Sequence, residues 1–277
     1  MTVPDEAWRS VNVMTKTYLQ AAIETAQEAG EILLQEFGRP PDITYKGDAD
    51  LVTQADRRSE QAIVERLRRW FPEHAIVAEE GAGHENSSPF RWYVDPLDGT
   101  TNFAHGYPCF AVSIGLAEGA SVIAGVVFNP VSNELFAAAR GEGATLNAKK
   151  ISVSAIDILA KSLLATGFPA HKRVQSPNIH YYWDFTLRSH GVRRDGSAAL
   201  DLAAVAAGRF EGFWEFGLHP WDTAAGIILI EEAGGRVSDF AGKPYRFGAR
   251  EILASNAKVH AEMQEVAAEI AAKTGKK

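Results

Sequence analysis

The segment richest in chemistry is Asp95-Pro96-Leu97-Asp98-Gly99-Thr100-Thr101-Asn102. Two aspartates three residues apart, with proline between them, can aim both carboxylates and one intervening backbone carbonyl at a single point. Hard divalent cations ask for that donor set: oxygen ligands, mostly anionic, in near-octahedral array. Further acids fall in comparable places: Glu79-Glu80 after the apolar run Ala75–Ala78, Asp222 after His219-Pro220-Trp221, and Asp56 after Asp50-Leu51-Val52-Thr53. Each stands where an element begins or ends, a rigid and half-buried position. Carboxylates gathered within about 5 Å repel one another, and a cation between them resolves the electrostatics. Gly99-Thr100-Thr101 reads as the start of a helix or a turn, where glycine permits close approach and free N–H groups bind a phosphate. Cation-binding carboxylates beside a phosphate cradle are the parts of two-metal phosphoryl hydrolysis. A plainer reading stands beside this one: Asp56 and Asp222 also suit helix N-caps, and Asp95 and Asp98 suit turns.

The elements that would position these groups are read from periodicity. Leu19, Ile23, Ala26, Gly30, Leu33 and Phe37 recur at helical spacing over Lys16–Phe37, and Gly38-Arg39-Pro40-Pro41 ends the run. A second helix is expected over Gln54–Trp70, with Ile63, Leu67 and Trp70 inward. Ala75–Ala78 and Arg91–Val94 read as strands that run into carboxylates, and Phe110–Ala117, Ser121–Phe128 and Glu134–Ala138 as three more. Glu118-Gly119-Ala120 is a hairpin signal, and Arg140-Gly141-Glu142-Gly143 a strand-joining turn, since no helix comes after it. After Ser154 strands and helices alternate: strands at Leu163–Thr166, Phe210–Phe216 and Ile252–Ala254, helices at Asn178–Ser189, Ser197–Ala207, Trp221–Ala233 and Ala257–Lys273. The change near residue 155 predicts one domain over 1–277, with an α+β lobe over about 1–155 packed on an α/β lobe over about 156–277.

Composition narrows the classes. With 46% hydrophobic and 23% charged residues among 277, and with 24 Gly and 12 Pro, the chain is globular. A net charge of −7 is a poor match to nucleic acid or an anionic membrane, so neither is expected as a partner. It also makes an anionic substrate awkward unless bound cations reverse the local field. One cysteine, Cys109, excludes a disulfide framework, and neither a signal peptide nor a membrane span is read, so a cytoplasmic protein is expected.

Trp92-Tyr93-Val94-Asp95-Pro96-Leu97-Asp98-Gly99-Thr100-Thr101-Asn102-Phe103 resembles the first signature of the inositol monophosphatase family. Trp221-Asp222-Thr223-Ala224-Ala225-Gly226, running to Ala233-Gly234-Gly235, resembles the second. Asp50–Asp56 and Glu79-Glu80-Gly81 fit the family's remaining pieces in order and spacing. The resemblance covers roughly 16–260 and implies the layered α-β-α-β-α fold of the inositol monophosphatase and fructose-1,6-bisphosphatase type, in many members a homodimer. It also implies a lithium-sensitive phosphatase with two to three Mg²⁺ per site. Glu79, Asp95 and the Leu97 carbonyl would hold one ion, and Asp95, Asp98 and Asp222 a second. Glu79, through water, would serve a third, weaker site. Thr100, hydrogen-bonded to Asp56, would orient and deprotonate the water on the first ion. Thr100, Asp56 and Glu79 thus form the catalytic group, and Asp98, Gly99, Thr100 and Thr101 meet the phosphate. Glu80 is placed behind the ligands. Lys46 is placed near the phosphate, although the loop after it is one residue shorter than the family pattern.

The same resemblance places a polyol against Gly196-Ser197-Ala198 and Glu215. A glutamate accepting from two ring hydroxyls suits a sugar alcohol and suits an adenylate poorly. The expected substrate is therefore inositol 1-phosphate or a similar small polyol phosphate. Histidinol phosphate, fructose 1,6-bisphosphate and 3′-phosphoadenosine 5′-phosphate are the alternatives. A regulatory or RNA-associated protein on the same fold is the alternative of a different class. His219 reads as a neighbour of the ligands. His171-Lys172-Arg173 reads as a solvated loop, Cys109 as core, and Trp183, Trp214 and Trp221 as packing residues.

Overall fold

The computed structural model describes residues 5–39, 43–45, 51–168 and 176–275. Helix α1 (Asp5–Glu36) precedes a small two-stranded sheet of β1 (Ile43–Tyr45) and β2 (Leu51–Thr53), and α2 (Gln54–Trp70) starts directly after it. Apolar periodicity starts the first helix at Lys16, but residues 5–15 contain neither Gly nor Pro, so nothing interrupts the helix before that point.

A seven-stranded sheet comes next: β3 (Ala75–Ala78), β4 (Phe90–Asp98), β5 (Ala111–Glu118), β6 (Ser121–Asn129), β7 (Glu134–Ala139), β8 (Gly143–Leu146) and β9 (Lys149–Lys150), in that spatial order. It is an antiparallel meander except for the parallel pair β3–β4. The short helix α3 (Thr100–Ala104) lies between β4 and β5. A second sheet is built from β10 (Leu163–Thr166), β11 (Gly191–Arg193), β12 (Gly212–Phe216), β13 (Arg236–Ser238) and β14 (Glu251–Ser255), in the order β11-β10-β12-β14-β13. Its helices are α4 (Asn178–Arg188), α5 (Ala198–Ala206), α6 (Pro220–Glu232) and α7 (His260–Thr274).

Three apolar clusters define the layering. Ala22, Ala26 and Leu33 of α1 and Ile63 and Leu67 of α2 pack with Trp92, Ile114 and Val126 on one face of the large sheet. Leu202 of α5 and Ile228 of α6 pack between its other face (Val127, Phe136) and the small sheet (Phe213, Ile252, Ala254). Phe185 of α4 and Met263 of α7 cover the far face of the small sheet at Leu164, Trp214 and Leu253. The order is α-β-α-β-α, as expected. The inner strands β10, β12 and β14 are covered on both faces and are mostly apolar, whereas the edge strands β11 and β13 carry Arg193 and Arg236 in exposed positions.

The central helix layer needs a flat seat. Gly115 and Gly125 pair across β5 and β6. A Cβ on Gly115 would lie 2.6 Å from the Ala224 Cβ, and one on Gly125 would lie 2.8 Å from the Ala225 Cα. The missing side chains let α6, which carries Asp222, rest directly on the sheet.

Two smaller expectations are corrected. Trp183 is 67% exposed on α4 rather than packed. Cys109 precedes β5 and is half-buried rather than core.

Candidate active site

The site begins with an irregularity in β4. The strand runs past Val94 through Asp95 and Asp98, which face Ser113 and Ala111, so one extra residue sits on the β4 side. Pro96 cannot donate to a ladder, and the bulge turns the chain aside at Leu97 and Asp98. Asp95, 2% exposed, turns back to accept from the Leu97 N–H at 3.0 Å. Gly99 caps α3 with φ +97°, and a Cβ there would meet the Cys109 carbonyl at 2.9 Å. The Thr100 hydroxyl lies 3.2 Å from Asp56 Oδ1 and 3.0 Å from the Leu97 carbonyl.

Helix α2 holds the acidic loops from behind through one face, at spacings of three and four residues. Asp56 closes a capping box, accepting from the Thr53 N–H at 2.7 Å and the Thr53 hydroxyl at 2.6 Å. The N-cap expectation is corrected: Thr53 is the N-cap of α2 and Asp56 stands at N3, as Asp222 does behind His219 in α6; Asp56 Oδ2 closes the box and Oδ1 meets Thr100. Ser59 donates to the Pro96 carbonyl at 2.9 Å. Glu60 accepts from the backbone of Glu80 at 2.6 Å and Ala82 at 2.8 Å, fixing the loop that carries Glu79.

The central layer closes the other side. Ser197, N-cap of α5, donates to Asp98 Oδ2 at 2.5 Å, and the Ala199 N–H adds a bond to the same oxygen at 2.7 Å. Asp222 stands in the first turn of α6, where Oδ2 accepts from the His219 N–H at 2.6 Å. His219 itself is exposed, its ring stacked on Trp221. Asn102 donates to the carbonyls of Cys109 and Asp195, each at 2.7 Å, tying α3 to the turn before Gly196.

These groups border a cavity of about 180 Å³ lined by Asp98, Thr101, Gly196, Ser197, Ala198, Glu215 and Asp222, together with Asn102 and Asp201. Asp56, Asp95, Leu97 and Thr100 form a hydrogen-bonded layer joined to Asp98 through β4, and Glu79 acts electrostatically on both Asp95 and Asp222. Lys46 and His171-Lys172-Arg173 lie outside the described residues.

The electrostatics are those of crowded, buried acids. Burial pushes the Asp95 carboxyl well above the usual range, and Glu79, Asp98 and Asp222 push it further. Asp222 is raised by burial and then by Asp98 and Glu79. Asp98 is raised by burial against the pull of Ser197 and the α5 backbone. Asp56 is pushed up to about 6, chiefly by burial. Among the described residues no three His, Cys, Asp or Glu side chains are already closed around one point as an ion cage. The donor set nevertheless fits a hard divalent cation: it is all oxygen, anionic and self-repelling, and Mg²⁺ keeps several waters, so it needs few protein ligands.

Sequence reasoning overlooked Ser59, Glu60, Asn102 and Asp201. Glu60 had a legible signal, since it lies one helical turn after Asp56.

The family model described as "Inositol monophosphatase family" matches residues 14–274. An inositol-1-monophosphatase of Synechocystis sp. is 48% identical, over 91% of this chain and 89% of that protein. A protein of Pseudomonas aeruginosa named Nus factor SuhB is 45% identical, over 87% of this chain and 92% of its own length. The solved inositol monophosphatase of Anabaena (Nostoc) sp. superposes with a TM-score of 0.84 at 43% identity, covering 92% of this chain and 96% of that one.

Proposed function

The chain belongs to the inositol monophosphatase family, a family of phosphoric monoester hydrolases that is generally metal-dependent, and from that premise we propose that it hydrolyses inositol 1-phosphate and similar small polyol phosphates with Mg²⁺. The observation that carries the reading is one cavity lined by Asp98, Asp222 and Glu215 together; in this reading the two aspartates serve the phosphate and Glu215 accepts from alcohol hydroxyls.

Glu79, Asp95, Asp98, Asp222 and the Leu97 carbonyl would hold two to three ions. When bound, these neutralise the phosphate dianion and the charge that develops on the attacking and leaving oxygens. Thr100 orients the attacking water through its hydroxyl and passes a proton to Asp56 Oδ1. The water oxygen bonds to phosphorus as the bond to the alcohol oxygen breaks, and that oxygen leaves as the alcohol by taking a proton from a solvent water, without a phosphoenzyme. Thr101 and the backbone at Gly99 meet the phosphate. Gly196, Ser197 and Ala198 border the alcohol. Glu80 acts through its field, which raises the Asp56 carboxyl. His219 sets Asp222 through its backbone N–H. Lithium inhibition and a homodimer belong to the same reading. For the dimer, Ile179, Trp183 and Leu187 form an exposed apolar row on α4 at 55%, 67% and 68% exposure.

The name Nus factor SuhB attaches to the Pseudomonas relative and keeps an RNA-linked role in view. The acidic charge and the full set of cation-binding carboxylates favour catalysis. Phosphate release from inositol 1-phosphate, histidinol phosphate, fructose 1,6-bisphosphate and 3′-phosphoadenosine 5′-phosphate, with and without Mg²⁺, tests the proposal. Turnover of inositol 1-phosphate below that of all the others would overturn the substrate. No Mg²⁺-dependent release from any of them would overturn the enzyme reading itself.

A further inference from the structure

One buried carboxylate in the cavity has no part in the proposed hydrolysis. Asp201 lies on α5 one turn beyond Ser197, so it shares the face that grips Asp98. On β12, Phe213 and Glu215 point toward α5, whereas Trp214 and Phe216 point toward α4 and α7. Helix and strand therefore bring Asp201 and Glu215 into the same cavity wall. They are 2% and 6% exposed, and neither carboxylate accepts a hydrogen bond from the described residues. A Cβ at Gly167 would collide with both Glu215 oxygens, so the carboxylate occupies the place a side chain would take there, and both residues line the cavity.

A first-turn aspartate is ordinary helix chemistry, but it serves the helix equally well in water. A carboxylate in a narrow cavity wall with no hydrogen bond from the described residues takes its hydrogen bonds from whatever fills the cavity. We propose that Asp201 is a second hydroxyl-binding carboxylate, and that Asp201 and Glu215 together hold a polyhydroxylated alcohol by two separate hydroxyls. This rests on the assignment of the protein as a polyol phosphatase. Arg194 already offsets both acids and is the cation of the cavity wall among the described residues. A neutral polyol therefore suits the pair better than a second cation. The inference makes Asp201 a determinant of specificity, with no place in the attack on phosphorus.

The test uses the full chain with Mg²⁺, the variants Asp201→Leu and Asp201→Asn, inositol 1-phosphate, its monodeoxy analogues, and p-nitrophenyl phosphate. Asp201→Leu is expected to lower kcat/KM for inositol 1-phosphate ten- to a hundred-fold relative to the aryl phosphate, roughly the effect of leaving a buried substrate hydroxyl without its partner. Asp201→Asn, which keeps one acceptor, is expected to lower it less, and it carries the test if the leucine variant does not fold. For one deoxy analogue the wild type should lose about as much as the variant does, and the variant should lose little more. A structural role would not produce that loss of sensitivity at a single ring position. Equal losses on both substrates, or no loss, or undiminished sensitivity to every hydroxyl, would overturn the inference. So would a preference for an amino-alcohol phosphate that disappears in Asp201→Asn. If the wild type hydrolyses the aryl ester but no inositol phosphate, inositol 1-phosphate is the wrong substrate. The same ratio is then read on the best polyol phosphate of a panel including glycerol 2-phosphate, and Asp201 stands or falls there.

Discussion

Glu215→Gln should make the protein more stable and a worse polyol phosphatase at the same time. Burial, and then Asp98, push the Glu215 carboxyl from 4.5 up to about 8, against the opposing charge of Arg194. An acid raised on folding favours the folded state fully only below its unfolded value, and that advantage is lost as pH rises toward the folded value. At about 1.4 kcal/mol per decade, the interval from 4.5 to about 8 amounts to a folding cost on the order of 5 kcal/mol above pH 9. The cost is about 3 kcal/mol at pH 7 and under about 1 kcal/mol at pH 5. Glutamine has the same shape and no charge. Urea unfolding of the chelator-treated wild type and variant should therefore coincide near pH 5 and diverge in the variant's favour by pH 9. In the same variant, kcat/KM for inositol 1-phosphate at pH 9, where the wild-type Glu215 carboxylate is ionised, should fall ten- to a hundred-fold relative to p-nitrophenyl phosphate, since a hydrogen bond to a charged group is worth about 1.5–3 kcal/mol. A stability gap that does not grow with pH would refute the electrostatic argument. Equal losses on both substrates would refute the role in binding.

The same geometry sets four further outcomes. Asp95→Asn should abolish turnover, whereas Glu80→Gln should cost far less; similar, near-normal rates would remove Asp95 as the shared ligand. Thr100→Ala should lower kcat more than it raises KM, because orienting the water matters mainly in the transition state, and no ³²P-labelled protein should be trapped at any stage. Asp56 must be ionised to take the Thr100 proton, so kcat/KM should rise with pH through about 6, and Asp56→Asn should flatten that limb of the profile. Glu60→Gln, which weakens the grip on the Glu80 and Ala82 amides, should reduce Mg²⁺ affinity as read by titration.

The sequence reveals the site better than its supports. Acids at the ends of apolar runs are visible because strand and helix signals stop beside them, and both signatures lie at such junctions. The extension of β4 through Pro96 is not visible, since proline argues against a continuing strand and only the bulge reconciles the two. Strands as short as β9 and β11, of two and three residues, carry no period to read. Asp201 looks like a helix-dipole charge in an alanine-rich segment. Its burial depends on β12, which comes later in the chain, and no local pattern reports that. Trp183 misleads because an apolar side chain signals burial against something without saying whether that surface belongs to the same molecule.

The clasp between Asp98 and Ser197 also bears on the order of folding. Its partners are 99 residues apart, the Asn102–Asp195 bond spans 93 and the Ser113–Trp221 bond 108. Each closes a long loop, and the entropy of closure is lost before the contact rewards it. The meander β4–β7 can form from near neighbours, but Asp98 reaches its working position only once α5 has docked on the sheet. During refolding, circular dichroism should therefore recover ahead of turnover, and the interval between them is a clock for the docking of the central helices.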